Sequence, residues 1–255
     1  MAEVPYLCLG SVTHQGRVEI GAPGLVGFKV IVVDNSYHEL SPWHHVPLYP
    51  LKCDSILFHF VCTTPAGATL QFRPDTSQSF SPLSVLSKCG RASRFESPLP
   101  CNYGFLPQTC CLSSSKQDTL EALPSIRNPI NILEVGGGPE RKTGDIYAVK
   151  VLGALCFSGS MEGENKRWIL IGLASDHRMA EEVTDVADLE DKLPGVLVTV
   201  QEWAQEMEGE GNVCIADILF LAPCQSVLCI YRYHAFINHA NLSNYGDANV
   251  CVEKI

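Results

Sequence analysis

Residues 126–138 read IRNPINILEVGGG, and their types raise the first chemical question. A strand-like run follows an Asn-Pro step and ends in Gly136, Gly137 and Gly138. The stretch has the outline of a metal-binding loop but lacks the acids that such a loop needs as ligands. Pro139 and a charged ERKTGD segment follow the glycines, so they read as a turn rather than as a phosphate-cradling helix start. His44 and His45 are adjacent and, in a strand, would face opposite ways, which disfavours a shared metal ion. Cys110 and Cys111 could form a vicinal redox pair, although two buried thiols are the simpler reading. The chain contains no H-E-x-x-H, P-loop, G-x-S-x-G or zinc-type spacing. Generic motifs alone name no activity.

The elements that must position these residues are mostly strands in the first two thirds of the chain. LVGFKVIVVD and SILFHFVC are rich in aromatic and β-branched residues bounded by Gly, Pro and Asp, and ATLQFRP alternates for a short strand. From Asp75 to about Cys101, Ser and Pro dominate and a long surface loop is predicted. Two further strands are predicted at 145–157 and 167–174. Helices come late. Pro194 sits where a first helical turn tolerates it, and Val196, Val200, Trp203 and Met207 then share one helical face, with Gly209 and Gly211 as the stop. A second helix is expected from Gln225 to about His239. No repeat or linker divides the chain, so a single domain over 1–255 is expected.

Composition limits the function. A formal charge of −10 argues against non-specific binding to nucleic acid or to an acidic membrane. Charged residues are only 18% of the chain, below the ~25% of ordinary soluble domains, which fits either surface covered by something other than water or merely a low-charge soluble protein. Twelve cysteines without any C-x-x-C pair fit a reducing compartment. The start, MAEVPYLCLG, lacks the basic segment of a signal or transit peptide, so a cytoplasmic or cytoskeleton-associated location is expected. The most apolar segment, VCIADILFLAPCQSVLCIY, is broken by Asp217, Pro223, Gln225 and Ser226, and no membrane insertion is expected.

Taken in order, several stretches resemble the soluble inorganic pyrophosphatases of the eukaryotic family I type. SPWHHVPLY at 41–49 is similar to that family's S-x-F-H-D-I-P-L-Y, and NYGFLPQT at 102–109 to its N-Y-G-x-x-P-Q-T. NPINILEVG at 128–136 resembles D-P-I-D-V-x-E-I-G, and VKVLGAL at 149–155 matches the V-K-V-L-G strand. EGENKRW at 162–168 is similar to E-G-E-T-D-W, and the LPGVLVTVQEWAQEM helix to P-G-x-L-x-A-x-x-x-W-F. The resemblance covers about residues 28–235, with the N- and C-terminal extensions expected to pack on that domain. It implies an α+β, mostly β fold: a closed OB-type β-barrel flanked by two or three helices. It also implies Mg²⁺ ions held between aspartates, which bind pyrophosphate and generate the attacking hydroxide.

The departures fall on that chemistry. Three aspartates of the family's central loop correspond to Ile126, Asn128 and Asn131, with Arg127 between the first two. The aspartate before E-G-E corresponds to Met161, and the one before the tryptophan to Lys166 or Arg167, since one extra residue is present there. The lysine after that tryptophan becomes Ile169. A substrate-binding lysine and its acidic neighbour become Thr69 and Gln71, and the phosphate-binding Tyr-Lys pair becomes Met207-Glu208. Tyr103 is retained, and Arg94 is a second candidate. No catalytic residue is therefore expected; Ile126, Asn128, Asn131, Met161 and Arg167 are vestigial positions, and the family's Mg²⁺ is expected to be lost.

Three functions compete. The leading expectation is a degenerate enzyme acting as a structural or interaction subunit, with protein partners in a multi-subunit assembly such as a cytoskeletal, axonemal or organellar machine. The second is metal-independent binding of phosphate or pyrophosphate by Arg94, Tyr103, Arg127, Lys166 and Arg167, against the alternative that these bases pair with nearby acids on the rim. The third is ordinary Mg²⁺-dependent pyrophosphate hydrolysis.

Overall fold

Val, Ile and Phe alternate through residues 57–64, 130–135 and 146–157, and a strand that buries both faces needs such apolar runs. A computed structural model describes residues 16–50, 57–111, 128–158, 167–208 and 212–217 of the chain. In order, these form β1 (Gly16–Ile20), β2 (Lys29–Val33), β3 (Glu39–Leu40), β4 (Leu57–Thr64), β5 (Phe72–Pro74) and β6 (Leu83–Val85). Then come β7 (Ser87–Lys88), β8 (Arg91–Ala92), β9 (Asn102–Cys111), β10 (Asn128–Val135), β11 (Ile146–Ser158) and β12 (Arg167–Ala174). Helices α1 (Val186–Lys192) and α2 (Val196–Glu208) precede the last described strand, β13 (Asn212–Asp217).

Five strands close on themselves in the order β12-β10-β9-β4-β11, with β11 returning to β12. All of these pairings are antiparallel except β10 with β12, which run parallel. The result is the closed, mostly β barrel with few helices that the resemblance implied. Inside it lie Phe58, Phe60 and Cys62 of β4, Leu106 of β9, Ile130 and Ile132 of β10, Val149 and Val151 of β11, and Leu170 of β12. A register shift between Val151 and Gly153 adds one residue to β11. The inward phase then resumes at Ala154, and Leu152 turns outward into the core under the helices. That bulge lets β11 leave β4 and take β13 as its next partner along the same edge.

Helix α2 covers the outer wall with Val200, Trp203 and Ala204, all buried against Leu133, Leu155 and Phe157. It begins at Val196, after a Pro194-Gly195 turn, so Pro194 precedes the helix instead of entering it. Met207 is 39% exposed, so the fully buried stripe of α2 ends at Trp203 and Ala204. Helix α1 was not legible in the sequence; Asp185 caps it by accepting from the Asp188 amide at 2.8 Å. The predicted loop over 75–101 is also corrected. It holds β6, β7 and β8, and Leu83, Val85 and Leu99 are buried, since β6 pairs with β2 and closes a third core over β4 and β9. The helix expected at 225–239 lies outside the described residues, as do the glycines at 209 and 211. Among the described residues no helix is long and apolar enough to cross a membrane.

Gly104 of β9 lies opposite Cys62 where the barrel wall is tightest. A methyl group there would run into the Val61 carbonyl oxygen and lie 2.7 Å from the Phe60 ring. Because the first obstacle is backbone, it cannot swing aside. Gly104→Ala is expected to lower unfolding free energy by about 3 kcal/mol, read as a reduced urea midpoint at unchanged m-value.

Candidate functional site

The described residues implicated by the resemblance lie at one end and along one outer wall of the barrel. Asn128 is exposed at the start of β10, opposite Cys111, beside a register irregularity that ends at Ile130. Asn131 is half-buried and pairs with Phe105, while Leu133 pairs with Tyr103. Asn131 and Tyr103 are therefore diagonal neighbours on the outward face, the inward phase being held by Ile130 and Ile132. Tyr103 packs edge-on against Phe95 at 5.8 Å, and Phe95 in turn against Trp203 of α2 at 5.7 Å.

Next to Phe95, Arg94 is exposed and its Nη1 donates to the Thr69 hydroxyl at 3.1 Å. Backbone bonds from Phe95 to Thr69 and from Gln71 to Ser93 bring these two short segments together, and the Gln71 side chain accepts from the Ser93 hydroxyl at 2.8 Å. The fold thus gathers Thr69, Gln71, Arg94, Tyr103 and Asn131, and gives Arg94 no carboxylate partner among the described residues. Ile126, Arg127, Met161 and Lys166 lie outside the described residues. Arg167 is placed by its backbone alone, opposite Phe157 at the start of β12. Ile169 is buried in the core beneath α2.

Whether this wall suits Mg²⁺ depends on its donors. A hard divalent cation requires oxygens of high negative charge in near-octahedral order. Asn128 and Asn131 offer neutral amide oxygens, and no carboxylate stands beside them on β10's outward face. Among the described residues, no three His, Cys, Asp or Glu side chains lie grouped as ligands. The donors described on this wall do not fit the ion.

The other residues singled out from the sequence serve the fold. His44 and His45 do not lie in a strand: Ser41-Pro42 opens a turn, with the Ser41 hydroxyl and carbonyl accepting from the His44 and His45 amides at 3.2 and 3.0 Å. His45 Nδ1 accepts from the Ser41 amide at 3.0 Å, while burial, then the neighbouring His45, lower the His44 pKa to about 4. Trp43 donates to the Thr109 carbonyl at 2.8 Å, and the Thr109 hydroxyl accepts from the Ile130 amide at 3.0 Å, filling a gap in the β9–β10 ladder. Lys150 holds the carbonyls of Ala180 and Val183 at 2.6 and 2.9 Å. Cys110 and Cys111 end β9.

Gly136–Gly138 form the expected turn, with φ of 107° at Gly136 and 65° at Gly137. With Pro139, Asp176, His177 and Arg178 they line a depression of about 270 Å³. It lies at the opposite end of β10 from Asn128. Beneath this turn is a polar group that the sequence reading missed. Glu134 is 2% exposed; its Oε2 accepts from Asn102 at 2.7 Å and from the Tyr147 hydroxyl at 3.1 Å, and its Oε1 meets no donor in hydrogen-bonding geometry among the described residues. Burial raises its pKa, opposed by those two donors, by the Ala174 amide and by the Arg141 charge. The Arg141 guanidinium lies 3.8 Å from the Tyr147 ring centroid and meets both Asp176 oxygens at 2.7 Å. A lone acid in the inward phase of an otherwise apolar strand was the available signal.

With this geometry established, comparison with known proteins is informative. The profile of the family described as inorganic pyrophosphatase matches residues 80–214, more than half of the chain. The chain belongs to the inorganic pyrophosphatase family. It is 29% identical over 203 residues to soluble inorganic pyrophosphatase 6, chloroplastic, of Arabidopsis thaliana, covering 79% of this chain and 65% of that one. It is 28% identical over 190 residues to the inorganic pyrophosphatase of Mus musculus, covering 72% and 63% respectively. The chain therefore spans less than two thirds of the length of these relatives. Among solved structures, type I inorganic pyrophosphatase from Toxoplasma gondii superposes with a TM-score of 0.70 at 24% identity, covering 87% of this chain and 97% of that one. The N-terminally truncated vacuolar soluble pyrophosphatase of Trypanosoma cruzi, in complex with PPi, gives 0.68 at 24% identity, covering 88% and 91%. At that identity the likeness concerns the fold alone.

Glu134 gives the pyrophosphatase-family barrel a pH dependence of definite sign. Its folded pKa is raised, so in the window between about 4.5 and that value the folded chain holds the proton that the unfolded chain has lost. Its contribution is present below the unfolded pKa and is lost as pH rises through the folded one. Denaturant titrations across that window should show the unsubstituted chain losing stability relative to Glu134→Gln as pH rises, the difference levelling off above the folded pKa.

Proposed function

We propose that this chain is a catalytically degenerate member of the pyrophosphatase family, acting as a structural or interaction subunit of a larger assembly. The observation that carries the reading is the replacement, by sequence correspondence, of five ligand carboxylates with Ile126, Asn128, Asn131, Met161 and Lys166 or Arg167. The loss is more than neutralisation, since Arg127 and the Lys166-Arg167 pair place positive charge at the same loops. Two unit charges about 4 Å apart repel by about 4 kcal/mol at an effective dielectric of 20, and a divalent ion meets about twice that from each base. Among the residues that still match the family, Asn102, Thr109 and Lys150 hydrogen-bond to the protein's own backbone. A barrel needs them whether or not it catalyses.

The full-length protein incubated with Mg²⁺ and pyrophosphate should release no more phosphate than the buffer does, with or without EDTA. Turnover that EDTA abolishes would overturn the degenerate reading. For the subunit role, the native protein taken gently from cells should elute in a species several times its own mass; elution as a free monomer or homodimer removes that role.

One observation favours a second reading, direct anion binding without metal. Arg94 is exposed, tethered to Thr69 and lacks an acid partner among the described residues, so the rim pairing weighed as its alternative does not hold at this position. Calorimetry with pyrophosphate in EDTA should then give a binding isotherm that Arg94→Ala weakens about tenfold, in line with one charge-assisted contact. A flat titration rejects the pocket.

A further inference from the structure

Strand β13 is held by two elements. It pairs with β11, and α2 lies on it, with Gln201 Nε2 donating to the Val213 carbonyl at 3.0 Å. In the β11–β13 register, Cys156 is the direct partner of Cys214. Directly opposed residues of antiparallel strands project to the same face, with Cα atoms about 4.5 to 5.5 Å apart. Disulfides span Cα separations of about 4.4 to 6.8 Å, so either type of pair lies within reach. The neighbours fix the face. Leu155 and Phe157 of β11, with Val213 and Ile215 of β13, belong to the core under α2, so the two cysteines share the face turned away from it.

Their exposures differ in a way that sets an order of events. Cys156 is 3% exposed, whereas Cys214 is exposed. The other described thiols lack such an arrangement. Cys62 lies opposite Gly104, and both Cys62 and Cys101 have their thiol pKa pushed up by burial. Cys89 is exposed in the turn between β7 and β8, beyond the Lys88–Arg91 pair.

We propose that Cys156 and Cys214 form a redox modification site, closing reversibly into a disulfide that staples β13 to the barrel, with a low-molecular-weight disulfide of the glutathione class as oxidant. The Cys214 thiolate attacks one sulfur of the oxidant; its S–S bond breaks and one small thiolate leaves, taking up the proton that Cys214 lost. The Cys156 thiolate then attacks Cys214 Sγ and displaces the second small thiol. Two protein thiols are oxidised to one disulfide, and one small disulfide is reduced to two thiols. Opposed Cβ atoms start about 4.5 to 5.5 Å apart, and a disulfide draws them to about 3.5 to 4.5 Å. β13 can make that approach because its outer edge pairs with no other described strand. The site rests on strand register and is independent of the pyrophosphatase-family reading.

To test it, the full chain, purified reduced, is equilibrated with glutathione buffers of increasing GSSG:GSH ratio, quenched with an alkylating reagent and mapped by peptide mass spectrometry. The expected product is a linked Cys156–Cys214 peptide free of glutathione, with a melting midpoint raised by about 5 °C or more and restored by dithiothreitol. Cys156→Ser should stop at a stable mixed disulfide on Cys214, and Cys89 should stop there in both proteins. The proposal is overturned if, in the unsubstituted chain, Cys214 keeps its glutathione, stays unreacted or links to another cysteine while Cys156 is alkylated. That readout does not depend on the variant folding.

Discussion

β11 pairs with β4 through Ile146–Lys150, with β12 through Val149–Phe157 and with β13 through Gly153–Ser158, so one 13-residue strand closes the barrel and extends its wall. The single extra residue between Val151 and Gly153 makes this possible. Without it the inward alternation could not serve both the barrel interior and the core beneath α2, because a strand's faces alternate strictly. Leu152 is fully buried on the outer side of that shift, and the packing of Trp203 and Ala204 depends on it. The stretch VKVLG, which matches the family's strand, spans this bulge.

The two ends of β10 have different physics. At the Asn128 end the strand presents an exposed neutral amide. At the Gly136 end, Asn102, Tyr147 and Arg141 surround the buried Glu134, and Arg141 reaches Asp176 beyond β12. Asn102 also accepts from the Ala66 amide at 2.9 Å, joining the β4–β5 connection to the same network. Removing any of these partners would leave a buried polar group unsatisfied, which costs about 1–3 kcal/mol. These polar bonds secure the fold around the Gly136 end of β10.

The barrel strands were legible because β-branched and aromatic residues recur with period two, and the family stretches supplied their order. That Ile126, Asn128, Asn131 and Met161 stand where the family's pattern has aspartates is a reading of residue type. Other features were hidden for physical reasons. Ser and Pro around Leu83 and Val85 mask a three-residue strand that gains its stability from β2 rather than from its own sequence. α1 is seven residues long and depends on the Asp185 cap, so its periodicity is too brief to read. The turn at His44 and His45 was hidden because Ser41 acts through hydrogen bonds, not composition. The meeting of Arg94 with Thr69 is invisible along the chain, because two short segments must first pair.

The parallel β10–β12 pairing has a consequence for how the chain folds. β9 and β10 can meet early, but Val61 must find Ile146, and β12 cannot settle on β10 until β11 has crossed between them in sequence. Such non-local contacts bear their loop-closure entropy before any burial rewards it. Ring closure should therefore be the slow kinetic event, preceded by a sheet whose raw edges are open to capture by another chain.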